Sequence, residues 1–503
     1  MNPLPRVDAT MHPGVKDAFP AVCYDPHGMR LLVAALALCG ASGLDNGVGQ
    51  LPMMGWTVGP IAGEVWEGNE FNVSAAMMTR AADWLVDGGL RDLGFEYVML
   101  DAGWSNCSEP HWCTHRTPAG FCGVCEIPSP RLDGGAILVD PRKFPPSAPG
   151  ANDGIKLVAD YIHSKGLKLS LYTAPHGQGC GGYWGSLGHE RTDALLFASW
   201  GIDAVKSDMG CQDDASIHDG TLLGSLQRFR DGLNASGRPV LFYVDGGNPT
   251  ATARVANPFG RGVPDDLFTR THVATELAEA PWAWAPATCH SYKFWFDRHD
   301  TFASLMDNVE AQVLAGLPWF QRRGAIANPD ALTVGRGALP GGRPGMTAGQ
   351  YRIEVFLYAM LSAPLVLCCD LSSFATAPQQ ANARALLLNA ELIAIDQDRD
   401  AVMASRIGHA GGRNPWATDL WVKPLSDGSF AVAMINKDTG SNHTVSVRLS
   451  GDTDGDFYAG PTNTTTASVR DVFAQRELGR FTGAFSATVP PMDGAIFRVT
   501  FVS

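Results

Sequence analysis

The residues best suited to chemistry lie in one short stretch, Gly201–Cys211, which reads G-I-D-A-V-K-S-D-M-G-C. Ile202, Ala204 and Val205 form an apolar run bounded by Gly201 and Gly210. That pattern predicts a buried strand with a turn at its carboxyl end. Lys206 and Asp208 are two residues apart, so a strand directs both side chains to the same face. A lysine and a carboxylate at a strand end, facing one way, suit a polar pocket. The plain alternative is a surface ion pair, which contributes little. The rest of the chain decides between the two.

The elements needed to position such a pair recur along the sequence. Leu51–Trp56 reads as a strand, Ser74–Leu90 as an amphipathic helix and Tyr97–Leu100 as a second strand. An irregular insert follows from Ser105 to Gly150. Strand–helix alternation then resumes, with a helix from Asn152 or Asp153 to about Lys165, capped by one of the first two. Strands are predicted at Leu167–Tyr172, Ile202–Asp208 and Pro239–Val244, with helices at Arg191–Trp200 and Ile217–Leu233. Ser291–Phe296, Ala325–Asn328 and Pro364–Cys369 precede helices at Thr301–Ala315, Ala348–Leu361 and Pro378–Leu392. Eight strand-plus-helix units are the pattern of a closed α/β barrel of the (β/α)8, or TIM, type. Around Ala401 the helices stop. Leu420–Val422, Phe430–Ile435, Thr444–Leu449, Ser468–Phe473 and Ala495–Val499 are short runs between turn residues, which read as an antiparallel β-sandwich. The expected organisation is a leader over 1–43, a catalytic barrel over 44–400 and a C-terminal sandwich over 401–503.

In such a barrel, function collects where the strands end. Those ends are Trp56, Asp101 with Trp104, Tyr172, Lys206 with Asp208, Asp245, Lys293 with Asp297, Asp330 and Asp370. Several like charges converging on one mouth cost stability, so packing is a poor reason for them. Aromatic rings among carboxylates and lysines are what a sugar needs: rings stack on its C–H face and carboxylates accept from its hydroxyls.

Composition narrows the setting. The chain has 503 residues and a net charge of −13, which argues against nucleic acid or acidic membranes as partners. No apolar stretch beyond the first fifty positions is long enough for a spanning helix. Met29-Arg30, the apolar Leu31–Leu38 and the small residues Gly40–Gly43 together read as a secretory signal, with either Met1 or Met29 as the start. Asn72, Asn106, Asn234, Asn442 and Asn463 each open an N-x-S/T triplet. Nine of the 11 cysteines lie beyond the leader, and an oxidising compartment would pair most of them. Cys107, Cys113, Cys122 and Cys125 sit together in the insert, and their connectivity is open. No stretch has metal-ligand spacing, and no cofactor is expected. Cys368 and Cys369 read as buried at a strand end, and His189-Glu190 as a helix start.

The sequence resembles glycoside hydrolase family 27, the retaining α-galactosidases and α-N-acetylgalactosaminidases. The likeness is strongest over Gly154–Cys211 and continues through P-M-M-G-W, L-D-A-G-W, N-P-D-A-L-T-V-G, A-P-L-V-L-C-C-D-L, R-D-V-F-A and F-S-A-T-V-P-P-M. It implies that Asp208 is the nucleophile and Asp297 the general acid/base of a double displacement. It also implies that Asp101, Tyr172, Lys206 and Asp330 hold sugar hydroxyls, and that Cys180 and Cys211 form a disulfide across the mouth; Trp56, Asp245 and Lys293, at the same row of strand ends, are expected to bind the sugar with them. Certain positions depart from the family: Ala102 and Ala174 stand where aspartates are usual, Gly59 replaces a tryptophan, and Lys293 replaces an arginine. Phe294, Trp295 and Phe296 replace small residues before Asp297. The expected substrate is an α-glycoside end, galactose-type or a related sugar such as an N-acetylgalactosaminide, β-L-arabinopyranoside or isomaltose unit. A sugar-binding protein without catalysis is the rival class. Secretion or a vacuolar or lysosomal location is expected, and a homodimer is allowed for.

Overall fold

The protein is represented by a computed structural model. It describes residues 46–58, 73–106, 110–112, 123–125, 131–180, 183–209, 221–245, 284–293, 295, 297–314, 321–336, 345–372, 374–408, 417–449 and 466–502. The leader expected at 1–43, Gly59, Cys107, Cys113, Cys122, Cys211, Phe294 and Phe296 lie outside them.

Eight parallel strands form one sheet: β1 (Met54–Thr57), β2 (Tyr97–Met99), β5 (Lys168–Thr173), β6 (Ala204–Asp208), β7 (Leu241–Asp245), β8 (Ser291–Tyr292), β9 (Ile326–Ala327) and β10 (Leu365–Leu367). The short hairpin β3 (Pro110–Trp112) and β4 (Gly123–Cys125) belongs to the insert. The sheet order runs β10-β1-β2-β5-β6-β7-β8-β9. Leu332, just beyond β9, closes the circle by pairing in parallel with Leu367. Its N–H donates to Val366 O at 2.7 Å, and its carbonyl accepts from Cys368 N at 3.0 Å.

The helices packed outside the barrel are α1 (Ala75–Asp87), α2 (Gly154–Ser164), α3 (Glu190–Ser199), α4 (Thr221–Ala235), α5 (Ala285–Thr288), α6 (Phe302–Leu314), α7 (Ala348–Leu361), α8 (Ala381–Leu387) and α9 (Ala390–Asp396). Ser74 caps α1 by accepting from Met77 N, and Asp153 precedes α2 with its carboxylate turned to Ser147. Two expectations need correction. The strand expected over Ser291–Phe296 ends at Tyr292, and the helix expected over Pro378–Leu392 breaks in two. Asn389 causes the break. Its side chain accepts from Glu391 N and Leu392 N, a cap that competes with continuing the helix.

The antiparallel part comprises β11 (Ser405–Gly408), β12 (Thr418–Pro424), β13 (Phe430–Asn436), β14 (His443–Arg448), β15 (Thr466–Asp471), β16 (Arg476–Thr482), β17 (Ala484–Val489) and β18 (Asp493–Val502). Six of these form one sheet and β14 pairs with β17 in a second. Strand alternation assigns each face. Leu420, Val422, Val432, Met434, Phe497 and Val499 fill the space between the two sheets. Trp421, Ala431, Ala433, Ile435 and Ile496 point the other way and join the barrel's outer core with α7. These strands are therefore buried on both faces, and α7, squeezed between barrel and sheet, is buried over almost its whole surface.

One buried ion at this junction makes a prediction. The Lys423 ammonium, without solvent contact, donates to Ala359 O (2.9 Å), Ser362 Oγ (2.6 Å) and Ile395 O (2.6 Å). Burial pushes the neighbouring Asp396 carboxyl up to about 8, against the pull of Lys423. A carboxyl raised on folding stabilises fully below its unfolded value, and that stability is lost as pH rises through the folded one. Thermal melting from pH 5 to 8 should show the wild type losing stability by about 1 kcal/mol per pH unit. Asp396→Asn, isosteric with the protonated acid, should flatten that slope.

Candidate active site

The side-chain period of the strands builds the site. Tyr97, Met99, Ala204, Leu241, Tyr243 and Val366 point into the barrel and form an apolar plug with Met53. The next inward positions toward the carboxyl ends are polar: Asp101 after β2, Lys206 and Asp208 on β6, Asp245 on β7. Register aligns them, with Tyr172 beside Lys206, Lys206 beside Tyr243, and Asp208 beside Asp245. The barrel is thus oily at the bottom and charged at the mouth.

The charges form one chain. Lys206 Nζ lies 2.9 Å from Asp101 Oδ2, 2.9 Å from Asp245 Oδ2 and 3.6 Å from Asp208 Oδ2. Lys293 Nζ lies 2.9 Å from Asp245 Oδ1 and 3.0 Å from Asp330 Oδ2, and it also bonds Asp297. Asp245 therefore bridges the two lysines. Burial alone would lower both ammonium groups, but the surrounding carboxylates outweigh it and hold them well above the ordinary lysine value. Against its own desolvation, Asp245 is pulled down to about 2 by Lys293 and Lys206.

Asp297 behaves differently. Desolvation pushes its carboxyl up, Lys293 opposes this, and Asp330 and Asp245 add to it. Its side chain is still 54% exposed. Asp300, three residues further on, is buried and accepts from Tyr351 OH at 2.8 Å, apart from the lysine chain.

The remaining sequence-predicted residues are placed as follows. Asp101 turns Oδ1 to its neighbour Ala102 N at 2.7 Å. Tyr172 lies under Lys206, its ring centroid 5.6 Å from Nζ, and its hydroxyl accepts from Cys180 N at 3.0 Å. Trp56 is only 1% exposed and donates its indole N–H to Cys369 O at 2.8 Å, so it forms wall beneath the mouth, not open surface. Cys180 is disulfide-bonded and its sulfur lies 3.4 Å from Asp208 Oδ2; the partner implied for it, Cys211, is outside the described residues. Ala102 and Ala174, just beyond β2 and β5, are both buried. Among the described residues Cys289 and Cys369 are free thiols, Cys368 is buried beside Cys369 in sequence, and no cluster is built to hold a metal ion. Sequence reasoning missed Arg298 and Glu354, which lie fully buried behind Asp297. The available signal was Glu354 itself, one carboxylate at the head of the apolar run Val355–Leu361.

A parallel barrel whose mouth gathers carboxylates, lysines and aromatic rings has the groups needed to bind a sugar and cleave its glycosidic bond. Comparison with known proteins agrees. The family model described as alpha galactosidase A matches residues 122–257, and that of the alpha galactosidase C-terminal beta sandwich domain matches 416–499. A probable alpha-galactosidase of Dictyostelium discoideum is 29% identical over 93% of this chain and 97% of its own length. Human alpha-galactosidase A is 28% identical over 82% of this chain and 81% of its own. The crystal structure of alpha-galactosidase I from Mortierella vinacea shares the fold, with a TM-score of 0.68, 23% identity and coverage of 91% and 100%. By these likenesses the chain is α-galactosidase-like, similar to the glycosidases of glycoside hydrolase family 27.

Asp245 carries the electrostatics of this site, so its replacement tests them. In Asp245→Asn both buried lysines lose their shared counter-ion. Stability in urea at pH 6 should fall by about 3 kcal/mol. The loss should shrink at low pH, because a depressed carboxylate stabilises above its unfolded value and stops doing so as it protonates.

Proposed function

We propose that the protein hydrolyses terminal α-galactosides by double displacement with retention of configuration. The observation that carries this reading is the unequal treatment of two carboxyls at one mouth. Asp208 has the Lys206 ammonium at 3.6 Å, whereas Asp297 is raised by burial and by Asp330 and Asp245. Asp208 attacks the anomeric carbon while Asp297 protonates the leaving oxygen; Asp297 then takes a proton from the water that releases the sugar. Asp101, Tyr172, Lys206, Asp245 and Lys293 present donors and acceptors to the ring hydroxyls, and Asp330 supports Lys293. Trp56 shapes the wall. The relatives' common description as alpha-galactosidases supports galactose as the sugar.

A second reading keeps the chemistry and changes the sugar. It is favoured by Ala102 and Ala174, whose buried methyls leave fewer hydroxyl acceptors at the mouth. A panel of nitrophenyl α-galactoside, α-N-acetylgalactosaminide, β-L-arabinopyranoside and α-isomaltoside separates the two. The reading also places the protein in a secretory or lysosomal compartment. Support comes from the bonded Cys180 and from Asn234 and Asn442, exposed asparagines that open N-x-S/T triplets. Among the described residues no helix is long and apolar enough to cross a membrane.

Wild-type activity should trace a bell in pH with an acidic optimum, its alkaline limb set by loss of the Asp297 proton. Asp208→Ala should reduce turnover by at least about a thousandfold. Added azide should restore part of it and give the glycosyl azide of inverted configuration, read by proton NMR. Hydrolysis of none of the panel by the wild type would leave a sugar-binding protein instead.

A further inference from the structure

Arg298 directly follows Asp297, yet none of its surface reaches solvent. Its guanidinium runs back into α7. Nη1 donates to the Glu354 carboxylate, to Tyr358 OH at 3.2 Å and to Ala331 O at 3.4 Å. Glu354, equally buried, accepts from Thr333 N (2.9 Å), Thr333 Oγ1 (2.8 Å) and Val334 N (2.9 Å). Nε and Nη2 of Arg298 have no hydrogen-bond partner among the described residues. A buried ion with idle donors is a costly way to fill space, since an apolar pair of similar volume is often as stable or more so. The arrangement needs a reason other than packing.

The backbone supplies one. Arg298 N donates to Asp330 Oδ2 at 2.9 Å, the oxygen that also holds Lys293 at 3.0 Å. Asp330 itself adopts φ +82°, a left-handed conformation that costs an aspartate on the order of 1 kcal/mol. It is held there from several sides. Asn328 Oδ1 accepts from Asp330 N (2.8 Å), Asp330 Oδ1 accepts from Ala331 N (2.7 Å), and Tyr358 OH donates to its carbonyl (3.0 Å). Tyr358 is thus shared between the guanidinium and the strained aspartate. All these bonds converge on the Asp297–Arg298 peptide and on the lysine that Asp297 faces.

We propose that Arg298 and Glu354 are positioning residues for Asp297: the side chain of Arg298, clamped in α7, fixes the peptide that aims the Asp297 carboxyl at Lys293 and the mouth. This rests on Asp297 being the acid/base. The groups that face Asp297 are Lys293 on its own loop, Asp330 beyond β9 and Asp245 on β7; Glu354 and Tyr358 of α7 act only through Arg298 and Asp330. Loosening the clamp lets Asp297 swing into water, which misaligns the proton transfer and removes part of the desolvation that raises its carboxyl. The loss is therefore specific to steps that need the proton.

The test uses Arg298→Lys, the double variant Arg298→Met/Glu354→Gln, and Asp297→Ala as reference, each checked for folding by thermal melting. The double variant removes both buried charges together; Arg298→Lys keeps a cation opposite Glu354 and carries the test alone if the double variant fails to fold. On methyl α-galactoside, which needs acid assistance, kcat/KM should fall about a hundredfold in the double variant and about tenfold in Arg298→Lys. On 2,4-dinitrophenyl α-galactoside it should fall less than about threefold, because that leaving group needs no proton. The alkaline limb of the pH profile should move to lower pH in both. Equal losses on both substrates with an unmoved limb would overturn the positioning role and leave a structural one. If Asp297→Ala itself shows no leaving-group dependence, the acid/base reading falls and this proposal with it. If Asp297→Ala shows the dependence and the Arg298 variants do not, only the proposal falls.

Discussion

Two buried ammonium groups shared among five aspartates set the terms for the rest of this structure. Lys206 and Lys293 are each surrounded by carboxylates at hydrogen-bond distance, with Asp245 common to both. Neither lysine would remain charged in the interior without those partners, and the aspartates would repel one another without the lysines. The charge must also be held where water is scarce but a sugar can enter. The barrel meets that demand by placing an apolar plug below the mouth and letting the strand period bring successive polar residues to the same rim. The carboxyls are then distinguished by position. Asp245 is caught between two cations and pulled down, whereas Asp297 sits at the end of the chain and is pushed up.

The C-terminal strands serve the same purpose at a distance. The six-stranded sheet has no watery face along β12, β13 and the first half of β18: one side packs in the sandwich and the other closes over α7. Helix α7 carries Glu354 and Tyr358, so the sheet that buries α7 also fixes the groups behind Asp297. Arg352 of α7 is tied to Asp493 of β18 by bonds of 2.8 and 2.5 Å, and Asn389 reaches Val472 O at 3.0 Å. Barrel and sandwich are thereby linked by polar anchors as well as by apolar area. The barrel thus leans on the sheet for the packing of the groups behind Asp297.

Much of this was legible from residue pattern alone. The helix over Ala348–Leu361, the strand ending at Asp208 and the row of carboxylates at strand ends were readable because period, turn residues and charge coincide. Strands β16 and β17 were not. Arg476–Thr482 is mostly exposed and mixes charge with glycine, so it carries no alternation to detect. The double-sided burial of β12 and β13 was hidden for the opposite reason, since a strand buried on both faces reads as one apolar run.

The sequence by itself determined the alternation that closes a barrel, the inward face of each strand, and thus which residue types reach the mouth. It also carried the motifs that resemble glycoside hydrolase family 27. Tertiary structure alone decided which charge answers which. Lys206 bonds Asp101 across 105 positions and Lys293 bonds Asp330 across the β8–β9 junction, pairings that no local period encodes. It also separated Asp297 from Asp300, three residues apart in sequence, sending one to Lys293 and the other to Tyr351. The physical reason is that a side chain's direction follows from its own backbone, whereas its charge partner follows from every strand that closes around it.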